Sequence, residues 1–324
     1  DPDPEFNQGP QGIGIHQGPE SMLPERVQLH FTGTGQRDEP IDSGFGPYAL
    51  TRLCYETGGI YFAVHPNRNS RREVTRRETA ELSAHLAHFF DPGIMRNYRP
   101  DYVSQREYER LLSENKARAA LVQASMLSWA SPMENPQSRF PRRDEADLSR
   151  ILTNAQRDAA RVEPRVERLY ATLAMGEKDR DRLTQPRWQA GYDLAMGRVL
   201  AVMVRAKAYN AMLAQAKQGM QFQDARNDTW ILKPSDKVSV GSQLEKQAEQ
   251  ARMYLERVAK DHPGTPWAML AERELSEPIG WEWTETYTGV NAPRQPQPGN
   301  GNPMPRDDTR RTIDKPKPVR TPKL

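Results

Sequence analysis

The sequence predicts a mainly α-helical protein: a small strand-helix-strand unit near the start, then a helical bundle, between termini that do not fold by themselves. Three observations predict it. Four long stretches of the 324-residue chain repeat apolar residues at alternating spacings of four and three, as helices do when they bury one stripe. Alanine is abundant at 31 residues, whereas Ile, Leu, Val and Phe together number only 56, so burial has to come largely from close-packed helices with small side chains. Both ends are rich in proline and lack any apolar period.

Residues 1–24 hold five prolines and four glycines, and read as a disordered linker. The chain opens on Asp1, with its first methionine at position 22, and so reads as a processed form or a fragment. Residues 25–66 form the first expected unit. Val27, Leu29 and Phe31 alternate with Gln28 and His30, a half-buried strand pattern. Gly46 and Pro47 open a helix that places Leu50, Leu53 and Cys54 on one face, and Gly58 ends it in the left-handed conformation. Ile60 to Val64 reads as a second, more buried strand. That order makes a right-handed parallel crossover.

Residues 67–103 are an Arg-rich connection with a short helix expected from about Thr79 to Phe90, closed by Asp91, Pro92 and Gly93. The bundle is expected over residues 104–290. Tyr108, Leu112, Ala119, Val122, Met126 and Trp129 make one stripe if Asn115 fills a gap. Leu148, Leu152, Ala155, Ala159, Val162, Val166, Leu169 and Leu173 make another, which Pro164 must kink or split. The stripe from Trp188 to Ala216 spans about 29 residues and is widened by Leu194, Leu200, Met203 and Val204, which marks the most buried helix. Leu244, Ala248, Ala251, Leu255 and Val258 form the last, before His262, Pro263 and Gly264 break it. Residues 291–324 carry eight prolines, eight Lys or Arg, three Asp and no aromatic residue, and read as a disordered basic tail.

Two passages resemble known families. DSGFGPYALTRLCYETGGIYFAV, residues 42–64, resembles the closing strand, helix and strand of a von Willebrand factor type A domain, and the longer run through HPNRN and HFFDPGIMRNYRPDYVS resembles von Willebrand A proteins of planctomycete-type bacteria. The resemblance covers residues 20–105. It implies partner binding through a divalent metal held by an Asp-x-Ser-x-Ser loop, and gives a slight lean towards an extracytoplasmic or cell-envelope location. No such loop occurs in the sequence, and Asp42 and Ser43 do not match it, so no metal ligand or cofactor is assigned. RVAKDHPGTPWAMLAERELSEPIGWEW, residues 257–283, resembles the turn and second helix of a tetratricopeptide-like pair, near 243–276, with Ala268 and Ala271 allowing close approach. No second copy at that period is found.

Catalytic patterns are weak. Gly33-Thr34-Gly35 lacks a following Lys-Ser or Lys-Thr and reads as a turn. His85 and His88 sit three apart, suitable for two metal ligands, but no His-Glu-x-x-His or cysteine accompanies them. Cys54, the single cysteine, lies in an apolar stripe and reads as structural. The arginines between Arg68 and Arg77 interleave with Glu73 and Glu78. No run is long and apolar enough to cross a membrane, and the tail's lack of aromatics argues against nucleic-acid binding. Trp281, Trp283 and Tyr287 alternate with polar residues as a strand with one aromatic face, which either docks on the helices or offers a partner surface. The expectation is a non-enzymatic interaction or scaffold protein with a protein partner and possible self-association through the partial sheet. The alternatives are a His-dependent hydrolase using His85 and His88, or anionic-polymer binding through the Arg segment and tail.

Overall fold

The computed structural model describes residues 21–27, 29, 53, 54, 56–59, 90–127, 136–161 and 163–292. The chain divides into two units, Asp1–Val290 and Asn291–Leu324, and of the second only Asn291 and Ala292 are described. Its described residues are mainly helical, as the apolar periods require, with a small antiparallel sheet.

Described helices begin with α1, Pro92–Met95, followed by a 3-10 turn, Arg96–Tyr98. The short helix expected from about Thr79 to Phe90 lies, up to position 89, outside the described residues; Asp91 opens a helix, its carboxylate accepting from the Gly93 N–H at 2.7 Å and its carbonyl from the Met95 N–H at 2.9 Å. The stripe expected to run unbroken through Asn115 is two helices, α2, Gln105–Glu114, and α3, Lys116–Leu127. Asn115 is extended, and its side-chain oxygen accepts from the Ala117 and Arg118 N–H groups at 2.9 and 3.2 Å. The residue read as filling a gap is therefore a cap, and Met126, expected on the buried face, is exposed.

Pro164 splits the next stripe as expected, giving α4, Glu145–Ala160, and α5, Glu163–Ala174. A 3-10 segment, Glu177–Arg182, leads into α6, Pro186–Lys217. Proline at its first turn presets the entry angle, and residues on every side of it are buried, so α6 is the axis on which α3, α4, α5, α7, α8 and β3 pack. Helices α7, Ser242–Asp261, and α8, Pro266–Leu275, form the final pair and pack on each other, joined through His262, Pro263 and Gly264, the last with φ 71°. Ala268 and Ala271 are buried, as expected. Gly197 of α6 meets α7 so closely that a Cβ there would lie 2.6 Å from Leu255 Cγ.

The sheet is the element the sequence reading largely missed. Its order is β1, Arg139–Pro141; β2, Thr229–Ser235; β3, Gly280–Thr286. Leu232 lies opposite Trp283, and Pro234 opposite Trp281. Proline is tolerated in this middle strand because β1 pairs only with residues 229–231. Tyr209 of α6 and Trp281 of β3 meet edge to face at 5.3 Å, and Phe222, in the connection after α6, stacks on Trp230 of β2 at 4.5 Å.

Of the expected unit at 25–66, residues 30–52 and 60–66 lie outside the described residues. A helical turn at 53–57 ends at Gly58 with φ 67°, as expected, and the Gly59 N–H reaches the Cys54 carbonyl at 2.8 Å. Leu53, expected on a buried stripe, is 57% exposed and Cys54 only half-buried, because no described element covers that face. The start of the unit departs from expectation in its boundary, while Leu29 makes a strand bridge in keeping with the expected strand. Val27 and Leu29 are buried in the core of the helical bundle, with Met22 and Leu23 packed against it, so the boundary drawn at residue 24 does not separate a linker from a sheet.

Candidate functional site

The segment that enters the bundle has little secondary structure of its own. Residues 24–27 are irregular, yet Glu25, Arg26, Val27 and Leu29 are all buried. Leu29 makes a single strand bridge, and polar side chains projecting from α2 and α6 also bind the segment. The Glu25 carboxylate accepts from Arg187 Nε at 2.8 Å and from the Tyr108 hydroxyl at 2.9 Å. Arg198 Nη2 donates to the Leu29 carbonyl at 2.7 Å. Leu194, Ala195 and Trp267 complete the apolar lining, around a small cavity of about 10 Å³ that they share with Glu25, Arg26 and Val27. Burial, followed by the neighbouring Glu25 carboxylate, raises the Tyr108 hydroxyl far above its ordinary pKa, so it stays a donor.

The groove exists because α6 carries charge on its buried surface. Arg187, Arg198 and Arg205 are spaced by 11 and 7 residues, close to whole numbers of helical turns, and so share one face. Arg205 and Arg198 both bind Glu274 of α8, Arg198 Nε at 3.3 Å, and Arg205 adds a bond to the Pro278 carbonyl at 2.9 Å. Burial pushes the Glu274 carboxyl up, but Arg205 and Arg198 more than offset this and hold it below the usual carboxylate range. Elsewhere on the helix the fully buried Asp193 accepts from Arg180 and from Arg257, with Arg257 Nε at 2.7 Å. Beside the groove, Tyr98 stacks on Trp267 with centroids 5.3 Å apart and its hydroxyl lies 2.9 Å from His262 Nδ1. His262 Nε2 is buried with no described partner, and burial lowers the pKa of this imidazole.

A second concavity, of about 490 Å³, opens at the start of α7 between Glu163, Lys207, Asn210 and Gln247. Lys207 is already paired with Glu167 at 2.6 Å, and Asn210 reaches Glu163 at 3.4 Å. The residues lining it include no histidine or cysteine, the side chains most suited to nucleophilic or acid–base chemistry near neutral pH.

The residues singled out from sequence do not converge. Trp281 is buried, its indole N–H donating to the Arg205 carbonyl at 3.0 Å, and Trp283 is half-buried, donating to the Met212 carbonyl at 3.3 Å. The strip therefore docks on α6, and as a partner surface it is corrected to Tyr287 alone, which is 62% exposed. The reason is that β3 turns its aromatic face inward to cover the end of the long helix. His85, His88, the arginines of 68–77, Gly33–Gly35 and Asp42 lie outside the described residues. Among the described residues no group of three or more His, Cys, Asp or Glu is placed to hold a metal ion. No described helix is long and apolar enough to cross a membrane.

Glu25, Tyr108, Arg187 and Arg198 were not singled out. A signal was present: three arginines at helical repeat distances on a largely apolar stretch demand buried acceptors. No family model, curated protein or solved structure matches this chain.

Proposed function

We propose that this chain is a non-enzymatic protein-interaction or scaffold protein whose helical bundle takes up an extended chain segment. The observation that carries this reading is the seating of residues 25–29. The described hydrogen bonds that the bundle gives this segment come from side chains, two to one carboxylate and one to a main-chain carbonyl. That is how a receptor holds a peptide, with a few polar groups fixing orientation in an otherwise apolar groove. The paired helices α7 and α8, which resemble a tetratricopeptide-like unit, supply Trp267 to the same groove. The resemblance of residues 20–105 to von Willebrand A proteins, a partner-binding family, points the same way and carries its lean towards the cell envelope.

The test is to place a protease site within residues 31–40 of the full chain, cut it, and follow the released N-terminal fragment. The expected result is a fragment that stays bound after cleavage and is displaced by excess synthetic peptide of the same sequence while the bundle remains folded. A fragment that leaves only when the bundle melts would remove the basis of the reading.

A further inference from the structure

We draw no further inference here: the strongest candidate, the concavity of about 490 Å³ at the start of α7, carries nothing, because Lys207 is already paired with Glu167, the unpartnered amide oxygens of Asn210 and Gln247 are closed off from solvent and so lie out of a ligand's reach, and what remains is a helix N-terminus with no second observation pointing to a ligand.

Discussion

Replacing Glu274 with glutamine removes the carboxylate that Arg198 and Arg205 share. Both guanidiniums are about 95% buried, so neither can turn to water. Removing one partner of a buried pair costs about 3 to 5 kcal/mol, most of it the penalty of the charge left behind. The remaining carbonyl contacts, from Leu29 to Arg198 and from Pro278 and Glu277 to Arg205, hold the guanidiniums in place and set glutamine near the lower end, about 3 kcal/mol. Leucine, which offers no acceptor, belongs near about 5 kcal/mol. The assay is urea denaturation followed by helical circular dichroism at pH 7, with an unchanged m-value showing that stability alone has moved. Adding Arg205→Met to Glu274→Leu should return part of the loss, because an apolar pair has no desolvation to offset. There is also a pH signature. The folded-state pKa of Glu274 lies below its ordinary 4.5, so its contribution is complete above that value and disappears as pH falls through the folded one. The glutamine variant lacks that acid-side loss. A Glu274→Gln chain within about 1 kcal/mol of wild type would refute the reasoning, since a shared buried carboxylate cannot be that cheap.

His262 supplies a second pH dependence. Its folded pKa lies below the ordinary 6.5 because burial disfavours the imidazolium, with Arg180 and Arg257 adding to this and Asp193 and Asp261 opposing it. Stability should therefore be level above about pH 6.5 and fall at up to about 1.4 kcal/mol per pH unit below it, and His262→Gln should flatten the slope between pH 6.5 and 5 in denaturant titrations. Gly197→Ala drives a Cβ into Leu255 and should cost about 1 to 3 kcal/mol in the same assay, with Leu255→Ala in that background giving less than the sum of the two single losses. Trp281→Ala should destabilise by about 3 to 5 kcal/mol, whereas Tyr287→Ala should stay within about 0.5 kcal/mol, a contrast that thermal melting resolves.

The bundle was legible because four apolar stripes each run for four or more turns of helix, and the two strongest local signals, Pro164 and the His262-Pro263-Gly264 break, act where they stand. Asn115 was misread because a polar residue in a stripe position looks the same in sequence whether it is tolerated or caps a new helix. What distinguishes the two is the side-chain oxygen accepting from the Ala117 and Arg118 N–H groups, with the Asn115 amide anchored on the Asp179 carbonyl at 3.1 Å. The sheet was legible in β3 alone, where aromatic and polar residues alternate. β1 has three residues and β2 contains Pro234, so neither carries a period of its own. The groove was the least legible feature. Val27 and Leu29 alternate as a strand would, and that pattern specifies an extended chain with one buried face without saying whether a sheet or a helix bundle buries it. Arg187 and Glu25 find each other across 162 positions, a separation at which no local rule operates.

That separation has a kinetic consequence. Helical bundles usually assemble quickly because their contacts are local. Here the three buried arginines of α6 are bound by groups 69 to 169 positions away, Glu274 for Arg205, Glu25 for Arg187 and the Leu29 carbonyl for Arg198. The longest helix therefore cannot desolvate its own sides early, since doing so before these partners arrive would strand three arginines away from water. Closure of both distant ends onto α6 must accompany its burial, which places the slow step of folding in the docking of residues 25–29 and of α8 rather than in helix formation, and sets this bundle among slower folders than its helix content implies.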